Sequence, residues 1–346
     1  MDAWGNFIRK IPFQELVNLF RQHYLLFTSV TAVGVGVLVL RRYFGGGECK
    51  SEARLDGKTI IVTGGNTGIG KVAARDFARR GAHVILACRD MAKAEQTAAQ
   101  IRQSTGNGLV TVYAVDLASF ASVRKFCKQV IEKEPRVDVL VNNAGVMWCP
   151  HQKSADGHEM HLAVNHLGPF LLTNLLLDLI KSSAPSRIVN VSSMVHSYGH
   201  MHLDDLNLEK DYTAKKAYSQ SKLANVLFTR ELDRRLKGTG VSVFALHPGV
   251  VRTELWRHTG SAGFAWYKRM LFKPFIYLCF KTPLQGAQTT IYCTVKEGLE
   301  KHSGKYFSDC RLKTPSAEAQ DDDKAKKLWD ISARLVHLDA GGETIS

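Results

Sequence analysis

A chain of 346 residues, 45% of them hydrophobic, is well able to bury a core and long enough for two domains, although α/β sheets of this size commonly form one. The formal charge is +14, but the basic residues are spread along helical stretches with no aromatic-interleaved cluster. This excludes nucleic acid as a partner and favours solvated faces drawn to an anionic membrane. Seven cysteines, an odd number without a close pair, exclude a disulfide scaffold and point to a reducing compartment.

From the N-terminus, residues 11–20 have the pattern of an interfacial amphipathic helix, and residues 24–40 form an uncharged run bracketed by Arg21 and by Arg41 and Arg42. As a helix the run spans about 25 Å, slightly short of a ~30 Å hydrocarbon core and close to the thinner endoplasmic reticulum bilayer. Residues 1–45 are therefore expected to be a membrane anchor. A cleaved signal peptide fits less well, because the run begins late and lacks a small-residue cleavage site. Basic residues flank both ends, so charge does not set the orientation.

Residues 58–63 are a β-branched run suited to a buried parallel strand. They break into Thr63-Gly64-Gly65-Asn66-Thr67-Gly68-Ile69-Gly70 before a helical pattern from Lys71. Strand, glycine turn and helix make a pyrophosphate cradle. Gly64 makes the turn, Gly68 admits the phosphate to the backbone and Gly70 lets helix pack on strand, with the helix N-terminus facing the anion. The second strand, near 82–88, ends in Cys88 and Arg89 where an NAD enzyme usually has a carboxylate. A guanidinium there suits a 2′-phosphate, a contact worth about 1.5–3 kcal/mol, which favours NADP(H). Asp90 either caps the next helix or reaches the ribose.

Further strands are expected near 109–115, 137–142, 186–192, 241–247 and 304–307, with helices between them. This alternation predicts a doubly wound, Rossmann-type parallel sheet of about seven strands in one domain, residues 56–310. Residues 311–346 follow as a C-terminal helix (324–338) and a frayed tail (340–346). Ser193 lies just past the fifth strand, and Tyr218 and Lys222 are four apart on a helix expected over 217–236. An ammonium about 4 Å from the phenol is worth roughly 4 kcal/mol and would bring Tyr218 to titrate near neutrality, where a general acid/base works best. Ser193 would hold the substrate oxygen. Tyr212 and Lys216 repeat the spacing without an apolar-periodic helix, so Tyr212 is expected to be a solvated loop residue. His158, His161 and His166, and His196, His200 and His202, lack zinc-site spacing with cysteines, and no metal is expected.

Together these motifs resemble the short-chain dehydrogenase/reductase family over roughly residues 56–307, nearest to its vertebrate, NADP-preferring retinol dehydrogenase branch. The resemblance implies that Asn142, Ala144 and Gly145 steady the sheet and line the adenine-ribose side, and that Asp116 contacts adenine. It gives Asn165 as a fourth catalytic residue, and Pro248, Gly249 and Thr253 as contacts to the carboxamide and phosphate. Pro169 stands where the branch usually has a second histidine, and would suit only a first helical turn. Residues 264–280, rich in aromatics but broken by charges and Pro274, match the family's substrate lid.

An anchor and a greasy lid imply retinol and retinaldehyde as substrates, with steroid or lipid aldehydes as the alternative and a non-catalytic nucleotide-binding scaffold as the rival. The expected location is the endoplasmic reticulum membrane, with the catalytic domain cytosolic, or else a mitochondrial membrane. A homodimer is left open.

Overall fold

The computed structural model describes residues 13–252, 277 and 280–338. Thr253, most of the expected lid and the tail 340–346 lie outside these residues. The described chain runs α1 (Phe13–Gln22), α2 (Tyr24–Gly45), β1 (Thr59–Thr63), α3 (Gly68–Arg79), β2 (His83–Cys88), α4 (Met91–Thr105), β3 (Val110–Ala114), α5 (Phe120–Lys133) and β4 (Val139–Asn142). The second half holds α6 (Met160–Leu162), a π turn (Ala163–Leu167), α7 (Gly168–Leu175), α8 (Leu177–Ser182), β5 (Ser186–Val191) and α9 (Ala214–Arg235). After it come β6 (Val241–His247), α10 (Pro283–Val295), β7 (Tyr306–Ser308), β8 (Arg311–Leu312) and α11 (Asp322–Leu335).

The strands form one sheet in the order β3-β2-β1-β4-β5-β6-β7-β8, parallel except for β8. Period-two alternation divides the core. Ile61, Ile85, Leu140 and Ile188 face one helical layer, and Ile60, Val62, Val84, Leu86, Val141 and Val189 the other. Every residue of β1 is buried, as a central strand covered on both faces requires. The sequence indicates seven strands, and the eighth was not legible because it has two residues. It turns back through Asp309 and Cys310, both at positive φ (53° and 56°), without the Asn-Gly or Asp-Gly signature of such hairpins.

Helix α9 begins three residues earlier than expected, because the Thr213 side chain accepts from the Lys216 N–H and caps it. Pro169 falls in the first turn of α7, where its missing N–H costs nothing. Helix α11 puts Leu328 and Trp329 into the core, with the Trp329 ring 4.9 Å from Phe170.

The N-terminal region is helical, and α2 leaves Leu26, Val30, Val33, Leu38 and Val39 more than 60% exposed. Among the described residues no helix is long and apolar enough to cross a membrane, so the expected anchor is not confirmed. The C-terminal end of α2 is nevertheless fastened to the domain. The Arg41 guanidinium donates to the Tyr277 and Phe280 carbonyls, the latter at 3.2 Å, and lies 4.6 Å from the Tyr277 ring centroid.

Candidate active site

A cleft of about 660 Å³ opens at the carboxyl ends of the parallel strands, where the strand order reverses between β1 and β4. In a doubly wound sheet this switch point is the place for a ligand, and the volume is within the range of cofactor sites. The glycine turn forms one wall. Gly64 and Gly68 take positive φ (65° and 52°), and a Cβ on Gly70 would stand 2.4 Å from the Gly64 carbonyl oxygen, so α3 can start this close only on glycine. Asn66, Thr67 and Ile69 complete the wall.

At the far end of β2, Arg89, Asp90 and Lys93 line the cleft. Of the two roles read for Asp90, the structure shows the cap: its carboxylate accepts from the Lys93 N–H at 3.0 Å at the start of α4. Asp116 is likewise part of a turn, accepting from the Ala118 N–H at 3.0 Å while it lines the cleft. Ala144 and Gly145 also line it, joined to β1 because the Thr63 hydroxyl accepts from the N–H groups of Asn143 and Ala144.

Asn142 does not share this placement. Its side chain is buried under the sheet, donating to Thr173 and Asn190, and it is Asn143 that reaches the cleft. The alternation of β4 explains the correction, since neighbouring residues point to opposite faces.

The other wall brings Ser193, Tyr218 and Lys222 together. Helix α9 presents Tyr218 and Lys222 one turn apart, both buried, and Ser193 hydrogen-bonds the phenol. The Lys222 ammonium lies 5.8 Å from the Tyr218 ring centroid and donates to the Val191 carbonyl at 3.0 Å. Burial pushes the phenol up to about 12, with Ser193 opposing it, and pushes the ammonium down to about 8. Titration of Tyr218 near neutrality is thus not met by these residues alone: desolvation outweighs the charge of an ammonium engaged elsewhere.

Asn165 sits behind this wall in the π turn, a device frequent at functional sites. Its amide accepts from the Val146 N–H at 2.8 Å and donates to the Val146 carbonyl and the Ser221 hydroxyl. A Cβ on Gly145 would meet Asn165 Oδ1 at 3.0 Å and Lys222 Nζ at 3.5 Å, so a side chain there would crowd the Asn165 amide.

Pro248 and Gly249 line the end of the cleft, held by Lys281, whose N–H donates to the Val250 carbonyl at 2.8 Å and whose ammonium pairs with Asp309. His247 was not singled out from the sequence. It accepts at Nδ1 from the Met194 N–H at 3.1 Å, and burial, reinforced by the Lys281 charge, pushes it down to about 3 and keeps it neutral.

A second group missed at the sequence level lies beside Tyr218. His161, fully buried, has Nδ1 2.7 Å from Glu159 Oε1, and its ring centroid is 6.1 Å from that of Tyr218. Cys149 Sγ stands 3.5 Å from its Nε2 and lines the cleft. Burial opposes a charge on His161, but Cys149 and Glu159 outweigh it and hold the imidazole up to about 9. Cys149 and Glu159 are ten residues apart in a stretch without regular pattern, so only the spacing Glu159-x-His161 carried any signal.

Tyr212 also differs from expectation. It lies outside α9 but is half-buried rather than solvated, stacked on His151 at 4.0 Å, with no hydrogen-bond partner for its hydroxyl. His166 pairs with Ser332 and His200 with Glu318, and among the described residues no cluster of three or more acidic, His or Cys side chains could hold a metal ion.

The family model for short chain dehydrogenases matches residues 58–262, more than half of the chain and all of the residues that line the cleft. The chain belongs to the short-chain dehydrogenase family. Within it the chain falls in the retinol dehydrogenase branch: retinol dehydrogenase 13 of Mus musculus is 55% identical over 318 residues, 91% of this chain and 95% of that one. Among solved structures, an uncharacterized protein from Mycobacterium paratuberculosis is 34% identical with a TM-score of 0.67, over 84% of this chain and 98% of its own. An NAD(P) dependent gluconate 5-dehydrogenase from Beutenbergia cavernae, solved with bound NADP, is 26% identical with a TM-score of 0.59, over 74% and 96%. The chain is therefore an oxidoreductase of this family, with the single Rossmann-type α/β fold that goes with it.

Proposed function

We propose that the chain is a membrane-associated, NADP(H)-dependent oxidoreductase that interconverts retinol and retinaldehyde, or a similarly lipophilic alcohol and aldehyde. The observation that carries the reading is the meeting of Tyr218, Lys222 and Ser193 on one wall of the cleft, opposite the glycine turn. Residues 56–310 are the catalytic domain in this account, residues 1–45 its membrane region and residues 311–346 its C-terminal extension.

Gly64, Gly68 and Gly70, with Asn66, Thr67 and Ile69, hold the pyrophosphate of NADP(H) at the α3 N-terminus. Arg89 pairs with the 2′-phosphate. Two observations support that choice: Arg89 lines the cleft, and the nearby carboxylate of Asp90 is engaged as a helix cap. Asp116, Ala144 and Gly145 flank the adenosine half, and Pro248 and Gly249 the nicotinamide half. Bound NADP(H) supplies a hydride to the carbonyl carbon, or takes one from the alcohol.

Ser193 holds the substrate oxygen and Tyr218 gives it a proton in reduction or takes one in oxidation. Lys222 stabilises the tyrosinate that remains, and Asn165, which donates to the Ser221 hydroxyl one residue before it, ties the π turn to α9 behind that lysine. Met147, Met160 and Met194 make the substrate end of the cleft apolar, and the exposed apolar side chains of α2 suit the interface of the endoplasmic reticulum bilayer.

The test is a panel of retinal, a steroid ketone and medium-chain aldehydes, each with NADPH and with NADH, on membranes containing the protein, with products read by chromatography. Faster turnover of retinal with NADPH is expected. A preference for the steroid, or for NADH, overturns the corresponding part of the assignment.

A further inference from the structure

The peptide between Ser193 and Met194 is gripped on both sides by imidazoles. Its N–H donates to Nδ1 of His247, the last residue of β6, at 3.1 Å. Its carbonyl faces His196, whose Nδ1 stands 2.7 Å away and whose own N–H donates to the same oxygen at 3.2 Å. The Nε2 of His196 in turn meets the Ser316 N–H at 3.2 Å. Burial pushes the His196 imidazole below its usual value, against the pull of the Ser193 carbonyl and with the help of the Lys313 charge, and keeps it neutral. The partners then leave the ring one form. A carbonyl only accepts and a backbone N–H only donates, so His196 carries its proton on Nδ1 and accepts at Nε2. The residue before Ser193 is held as firmly: the Ser192 N–H donates to the Leu246 carbonyl at 2.7 Å, and its hydroxyl donates to the Lys222 carbonyl at 2.6 Å.

We propose that His196 is a positioning residue for the reaction: as a neutral imidazole it ties the Ser193 carbonyl to Ser316 of the C-terminal extension and so holds the Ser193 hydroxyl on Tyr218. The inference rests on the role given to Ser193 above. Fixing the Ser193–Met194 peptide fixes the Ser193 Cα, from which the hydroxyl projects toward the phenol, and a misplacement of about 1 Å at such a point can cost about 10²-fold in rate. His196 is buried and does not line the cleft, so it acts through Ser193 and not on cofactor or substrate. Its far side gives the C-terminal extension a part in the site. Glu318, two residues past Ser316, accepts from the Met201 N–H at 3.0 Å and pairs with His200 and Lys324. The loop after Ser193 is thus pinned at two points by chain about 120 residues further on.

The test is steady-state kinetics of the full-length protein with NADPH and whichever carbonyl compound of the panel turns over fastest, with Ser193→Ala as the reference. His196→Leu should lower kcat about tenfold and leave the NADPH dissociation constant, read by fluorescence titration, within about twofold of the wild type. His196→Asn, whose amide nitrogen stands where Nδ1 stands, should recover most of the loss. On a Ser193→Ala background His196→Leu should add nothing, because the hydroxyl it positions is gone, whereas a residue needed only for the fold would lower both backgrounds alike. If His196→Leu does not fold, histidine-selective nitrogen NMR of the wild type, assigned with His196→Asn, decides: His196 should be neutral with its proton on Nδ1. An unchanged kcat in His196→Leu, an equal loss on the two backgrounds, or a proton on Nε2 overturns the proposal. If Ser193→Ala itself costs nothing, the role of Ser193 falls and this inference with it. If Ser193→Ala is slow and His196→Leu is not, this inference alone falls.

Discussion

Helices α2 and α9 have the same length, 22 residues, and each inverts the usual distribution of side chains in its own way. Helix α2 leaves valines and leucines exposed along its length, whereas α9 buries Ser219, Gln220, Ser221, Lys222, Asn225, Thr229 and Glu231. Exposed apolar surface has a cost in water unless something apolar covers it, and a buried charge has a cost unless a partner or a function retains it. The proposed function gives each inversion a use, α2 at a lipid surface and α9 in the chemistry. Neither is visible to an argument that only asks whether a segment is helical.

The largest effect that would separate the two is on α9. Tyr218→Phe removes only the exchangeable proton and should lower kcat by about 10²–10⁴-fold, while fluorescence titration shows NADPH binding little changed. Tyr212→Phe, at the same spacing from a lysine but outside the cleft, should keep wild-type turnover. Reversal of these two results would move the chemistry off α9.

The next effect concerns the opposite wall. Arg89→Asp should raise KM for NADPH by about tenfold or more and leave NADH usable, since a charge-assisted contact is worth about 1.5–3 kcal/mol. An unchanged NADPH/NADH ratio in steady-state kinetics would remove Arg89 from the 2′-phosphate.

A smaller effect is expected of α2. Deleting residues 1–44 should release the protein from membranes on carbonate extraction and lower the rate on retinal delivered in vesicles several-fold, because the domain must then find the bilayer by collision. The rate on a short, water-soluble aldehyde should persist. Continued resistance to carbonate would mean that another segment binds the membrane.

The smallest effect is on stability, beside α9. His161 has its pKa raised in the folded state to about 9 from 6.5, so its contribution is fully present below pH 6.5 and is lost as pH rises toward 9. Urea melts across that window should show the wild type losing of order 1 kcal/mol more than His161→Gln. Parallel curves would show that the buried imidazole does not gain a proton on folding.

Much of this site was legible before any coordinates, because its parts are local. A glycine turn between strand and helix, a tyrosine and lysine one turn apart, and an arginine after a strand are each defined by neighbours within a few residues. The misses share a cause. Asn142 was placed in the cleft and Asn143 left out because strand alternation must be known to the residue. Tyr212 was put in water because its stacking partner, His151, is 61 positions away in the chain.

By itself the sequence determined the order of strands and helices, hence the doubly wound sheet and the end of it at which a ligand binds, since hydrophobic period and chain connectivity are written residue by residue. Only the tertiary structure decided the electrostatics. The same Tyr218 and Lys222 could titrate near neutrality or far from it. Burial of both, and the engagement of Lys222 by the Val191 carbonyl, push the phenol up and the ammonium down. Only the structure, too, set Cys149 against an imidazole held by Glu159. Desolvation and proximity depend on which distant segments close over a residue, and no local pattern records that.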